Sequence, residues 1–77
     1  MKKIKLIWDF RGINGQKTSI HQEKHLVEYF KLENKRLFES GTETVSEIHS
    51  FAYTIINIDD LDEIKMRLKP HRAQNII

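Results

Sequence analysis

His21 and His25 stand one helical turn apart, so on a helix their imidazoles share a face and can clamp one metal ion, with His49, His71 or Asp9 completing the shell. His21-Gln22-Glu23-Lys24-His25 is not the zinc-protease pattern, because glutamine follows the first histidine and Glu23 turns to another face. Pairs of this kind also arise on solvated helix faces that hold no ligand. Anion binding is a second chemistry. Arg11-Gly12-Ile13-Asn14-Gly15-Gln16-Lys17-Thr18 supplies two glycines and a lysine just ahead of a helical pattern, where backbone N–H groups and the helix dipole attract phosphate or carboxylate. In that reading Arg11 and Arg72 bind the anion with help from Lys17, and the Gly12–Gly15 backbone cradles it. His21, His49 and His71 would orient it. An ordinary glycine turn with a solvated lysine has the same composition. Asp9 with His21 or His49 would form an acid–base pair, but no Ser/His/Asp or Cys/His set accompanies it, so no residue is assigned a catalytic role.

The elements that must position these residues follow from periodicity. Ile4, Leu6, Trp8 and Phe10 alternate with Lys3, Lys5, Ile7, Asp9 and Arg11, the pattern of a strand with one buried side. Ser19-Ile20-His21-Gln22 reads as a capping box that opens a first helix over about Ser19–Glu39, with Gly41 as its stop. Ile20, Leu26, Val27, Phe30, Leu37 and Phe38 form its apolar stripe. Thr42–Ile48 reads as a short edge strand bearing Glu43 and Glu47, His49-Ser50 as a turn, and Phe51–Ile58 as a β-branched and aromatic strand. Asp60 is placed as the cap of a second helix, with Glu63 at the reciprocal position and Leu61, Ile64 and Leu68 facing inward until Pro70 stops it. The tail from His71 to Ile77 forms a short fourth strand or simply docks.

Strand, helix, strand, strand, helix and weak strand fit a split βαββαβ sandwich in one domain over 1–77: a four-stranded antiparallel sheet with both helices on one face. Its first and third strands are then central. One sheet edge gathers Asp9, Arg11, the Gly12–Gly15 loop, Lys17, His21, Glu47, His49, His71 and Arg72. Trp8-Asp9-Phe10-Arg11-Gly12 and Leu68-Lys69-Pro70-His71-Arg72, with the length and pattern, resemble small bacterial ferredoxin-like α+β proteins. That resemblance implies the fold and no activity, and without cysteine it implies no iron–sulfur cluster.

The glycine loop between strand and helix is also similar to the phosphate cradle of acylphosphatases, which implies a weak acyl-phosphate hydrolase. The cradle is shorter here, and no partner for that family's catalytic asparagine is found. On the other sheet face, Phe51, Tyr53 and Ile55 stand beside Ile7. His49-Ser50-Phe51-Ala52-Tyr53-Thr54-Ile55-Ile56 resembles the third-strand motif of RNA-recognition domains, which implies stacking on single-stranded RNA. The alternative for the same face is pairing with a second copy, and the expectation here is a homodimer through Ile7, Phe51, Tyr53 and Ile55.

Size and charge bound these readings. A chain of 77 residues makes one domain and buries only about 60% of its unfolded surface, so added burial by oligomerisation would help. A formal net charge of +2 does not argue for nucleic acid. With no cysteine and no apolar run long enough for a signal peptide or membrane span, the expected setting is cytoplasmic. No cofactor is required by the sequence. The expected function is a small binding or regulatory domain that takes a small anionic ligand or a protein partner at the Arg11/His49/His71 edge.

Overall fold

A computed structural model of the chain describes residues 2–76; Met1 and Ile77, the outermost residues of the expected domain and tail, lie outside the described residues. The order is β1 (Lys3–Arg11), α1 (Gly15–Leu32), β2 (Glu39–Ser46), β3 (His49–Asn57), a 3₁₀ turn (Ile58–Asp60), α2 (Leu61–Leu68) and β4 (Arg72–Asn75). The sheet runs β2-β3-β1-β4 with every neighbouring pair antiparallel. This is the ferredoxin-like α+β sandwich that the element order implies, with β1 and β3 central. Among the described residues no helix is long and apolar enough to cross a membrane.

The alternation in β1 and β3 divides the sheet into two unlike faces. Ile4, Leu6, Trp8, Ala52 and Ile56 meet Leu26 and Phe30 of α1 and Ile64 of α2 in one buried cluster, with Phe10, Leu37, Leu61 and Leu68 at its margin. Side chains this fully buried stabilise the fold by about 1.5–3 kcal/mol each relative to exposure. The opposite, open face carries Lys3, Lys5, Ile7, Asp9 and Arg11 of β1 across from Asn57, Ile55, Tyr53, Phe51 and His49 of β3.

Several boundaries differ from the sequence expectation. Helix α1 begins at Gly15 rather than Ser19. Ser19 is not a cap: it is fully buried, and its hydroxyl donates back to Gln16 O at 2.8 Å. The helix ends at Leu32, not near Glu39, because Asn34 takes the left-handed conformation (φ 55°) and Lys35 N–H donates to Phe30 O at 2.9 Å. That is a Schellman closure with asparagine in glycine's usual place. Leu37 and Phe38 therefore lie on the connection to β2, which starts at Glu39 rather than Thr42. His49 and Ser50 are not a turn but the first residues of β3, and Glu47 and Ile48 make the turn. Asp60 precedes α2 without a side-chain capping bond. The cap there is Asn57, whose side chain accepts from Asp59 N–H at 2.9 Å. Lys69 adopts φ 50° and ends α2 just before Pro70.

Candidate functional site

The two segments Trp8–Gly12 and Leu68–Arg72, sixty positions apart in the chain, interlock at the end of the sheet. Trp8 Nε1 donates to Leu68 O at 2.8 Å, which ties the end of α2 to β1. His71 N–H then donates to Ile7 O at 2.9 Å and starts β4 along β1, so that Arg72 lies beside Ile7. Asp9, one pleat further along the open face, is where the polar contacts converge. Arg72 Nε donates to Asp9 Oδ2 at 2.7 Å and Arg72 Nη2 to Asp9 Oδ1 at 2.8 Å. His49 Nε2 lies 2.8 Å from Asp9 Oδ1, and the backbone N–H of Asp9 donates to His71 Nδ1 at 2.8 Å.

These contacts assign the ring nitrogens. An ionised carboxylate only accepts, so His49 Nε2 carries a proton toward Asp9, and its Nδ1 is the nitrogen left free. His71 accepts at Nδ1 and has Nε2 free. The Arg72 guanidinium is the main cause that holds the Asp9 carboxyl below its ordinary range; burial opposes it and the His49 bond reinforces it. The same pairing raises Arg72 above its ordinary value. Asp9 and His49 keep 14% and 16% of their side-chain surface, so a bidentate arginine and an oriented imidazole are held in a half-shielded place rather than in open water.

Of the anion-site candidates, the fold brings Arg11, His49, His71 and Arg72 to one edge, with Arg11 directly across from His49. It also redefines what Arg72 and the glycine loop can do there. Arg72 is committed to Asp9, so it positions the cluster instead of meeting an outside anion. The Gly12 and Gly15 amides are also engaged, donating to Ile48 O at 2.7 Å and to Gly12 O at 3.1 Å. Gly12 (φ 107°) makes the turn that glycine favours, and Gly15 lets α1 start close under β1, since a Cβ there would stand 2.7 Å from Phe10 O. Among the described residues Arg11 and Lys17, both exposed, have no ion-pair partner. The Asp9–His49 pair anticipated as an acid–base couple is formed, and Asp9 is His49's one side-chain partner among the described residues.

His21 and His25 do not join this cluster. They contact each other on the exposed side of α1, Nε2 to Nε2 at 3.0 Å, and among the described residues no group of three potential ligands forms around them. Of the four residues expected at a dimer or RNA face, Ile7 is 2% exposed within a single chain. Tyr53 and Phe51 carry cations of their own chain: Lys5 Nζ lies 4.3 Å from the Tyr53 ring centroid and 5.7 Å from that of Phe51, and Arg72 lies 5.6 Å from Phe51. The Tyr53 ring lies over Gly41, and its hydroxyl donates to Glu39 at 2.8 Å. That bond, followed by burial, raises the Tyr53 pKa. Ile55 is half-buried beside them. This cation-on-aromatic layer was missed in the sequence, although the alternation of lysines in β1 against aromatics in β3 was its signal.

Two clefts of about 420 and 440 Å³ lie elsewhere, one lined by Lys2, Lys3, Ile58 and Asn75, the other by residues of α1 and the segment after it. With Arg72 45% exposed and His71 exposed, the Asp9 cluster is a surface feature suited to contact with a charged group. No known family, no curated protein and no solved structure matches the chain.

Proposed function

We propose that the chain is a small binding domain, with no chemistry of its own, that receives an anionic group of a small ligand or partner at the edge formed by Arg11, His49 and His71. The observation that carries this reading is the way Asp9 sorts the charges there. It neutralises Arg72 and fixes both imidazoles, and Arg11 across from His49 has no ion-pair partner among the described residues. Arg11 supplies the planar donor fork suited to carboxylate or phosphate. His71 Nε2 is the second outward group, and Lys17 at the start of α1 adds charge nearby.

A homodimer through the open face does not belong to this reading. Ile7 is already buried and the neighbouring rings already bear Lys5 and Arg72, so that face has less to gain from a second copy than its sequence suggests. The same capping of Tyr53 and Phe51 disfavours base stacking.

The test is an amide-resolved NMR titration with inorganic phosphate and, separately, a short glutamate-rich peptide at fixed salt. Shifts centred on Arg11–Lys17, His49 and His71 that weaken with added salt and vanish in Arg11→Ala are expected. A response that survives Arg11→Ala unchanged, or no response to either probe, refutes the reading.

A further inference from the structure

The histidine pair that stands apart from this edge carries a site of its own. We propose that His21 and His25 form a two-point chelate for a divalent late first-row transition-metal ion, with copper(II) the preferred ion. Their Nε2 atoms are 3.0 Å apart, with the rings T-shaped at 79° and their centroids 4.5 Å apart. Nitrogens at that separation, each about 2.1 Å from an ion, subtend an angle of about 90° at it. That is the angle between adjacent ligands in a square-planar or tetragonal shell. A tetrahedral ion needs about 109°, which would move the two nitrogens about 3.4 Å apart. Imidazole donors suit copper, nickel and zinc alike, and copper(II) heads the affinity order for divalent ions, so geometry and intrinsic affinity agree on copper.

The pair is also held ready. One Nε2 must donate to the other, so a single proton is shared between them. The ion takes the place of that proton, which moves by way of solvent to Nδ1 of the donating ring, so each neutral ring offers its Nε2 lone pair to the ion and carries an Nδ1–H toward water. The backbone beneath is fixed, because Ser19, Leu26 and Phe30 on the other side of α1 are at most 2% exposed and anchor the helix to the sheet. Both histidines are exposed, so an ion reaches them without any opening of the fold. Among the described residues no third histidine or carboxylate completes a set. Water therefore fills the remaining positions, and the bound ion is exchangeable.

Copper(II) chloride titrated into the protein at neutral pH, followed by calorimetry and electron paramagnetic resonance, tests this directly. One equivalent should bind with the signature of two equatorial imidazole nitrogens, and paramagnetic broadening of amide signals should centre on residues 17–29. His21→Gln and His25→Gln, which change exposed side chains and should leave the amide spectrum otherwise intact, should each weaken binding by more than about tenfold, because the second donor acts at high effective concentration. Nickel should bind more weakly, and zinc more weakly than copper. Copper affinity unchanged in both variants, broadening centred on His49 or His71, zinc binding as tight as copper, or no binding at all would each overturn the proposal. The phosphate titration at Arg11 is unaffected by any of these results, so the two sites stand or fall separately.

Discussion

Asp9→Asn keeps the shape of the side chain and removes the charge that the guanidinium and the imidazole share. An exposed ion pair contributes about 0–1 kcal/mol, whereas a hydrogen bond to a charged group contributes about 1.5–3 kcal/mol. Asp9 receives two such bonds from Arg72 and one from His49 and is 14% exposed, but Arg72 is 45% exposed, so solvent screens much of the gain. We expect a loss of about 2 kcal/mol, roughly a thirtyfold change in the folding equilibrium, or a fall in Tm of roughly 8–16 °C for a domain this small. Urea and thermal unfolding of Asp9→Asn, Arg72→Met and the double variant measure it, and the cycle should give a coupling of about 1 kcal/mol or more. The pH dependence carries a definite sign. Because the folded Asp9 carboxyl titrates below its ordinary 3.8, the stabilisation is full above that value and is lost as pH falls through the lowered folded value. Asp9→Asn should lack that component of the acid limb. A loss under about 0.5 kcal/mol with an additive double variant would show an ordinary screened surface pair, and the idea that Asp9 organises the edge would fail.

Gly41→Ala would place a Cβ 2.8 Å from the Tyr53 hydroxyl oxygen and 3.0 Å from the ring, so the ring must lift from Lys5 and Glu39. A loss of about 1 kcal/mol in urea unfolding is expected. In a Tyr53→Leu background the sign should reverse to a gain of about 0.5 kcal/mol, because alanine then only reduces the freedom of the unfolded chain. Trp8→Phe removes the donor to Leu68 O and should cost about 1–2 kcal/mol, with faster hydrogen exchange at the β4 amides than at those of β3.

The sheet was legible because β3 alternates strictly in burial and β1 alternates apart from Ile7, and a period of two survives almost any neighbour. Edges and joins were less so. Ser19-Ile20-His21-Gln22 has the composition of a cap, yet Gly15 can lie so close to Phe10 that the helix begins a turn earlier, and Ser19 is then an interior residue bonding backward. Leu37 and Phe38 continue the helical period by coincidence, because Asn34 had already closed the helix in a role usually filled by glycine. The edge itself was readable from topology alone: Asp9, Arg11, His49, His71 and Arg72 do gather there. What spacing could not express is who satisfies whom. Arg72 counted as a free cation in the sequence because its partner lies 63 positions away. Ile7 counted as bare for the same reason, since its cover comes from β3 and β4.

Asp9 meets His49, His71 and Arg72 across separations of 40, 62 and 63 residues, so the cluster is complete only when β4 docks beside β1. A chain that has folded through β3 has most of its core and no completed site. Closing a loop of that length costs only a little more entropy than closing a short one, but the cost must be met before any contact of the cluster returns it. The Asp9 cluster therefore depends on β4 pairing in a way that the β1–β3 core does not. A molecule in which β4 has frayed from β1 would keep the paired β1 and β3 and lose the Asp9 contacts to His71 and Arg72 first, so those contacts report on the docking of β4.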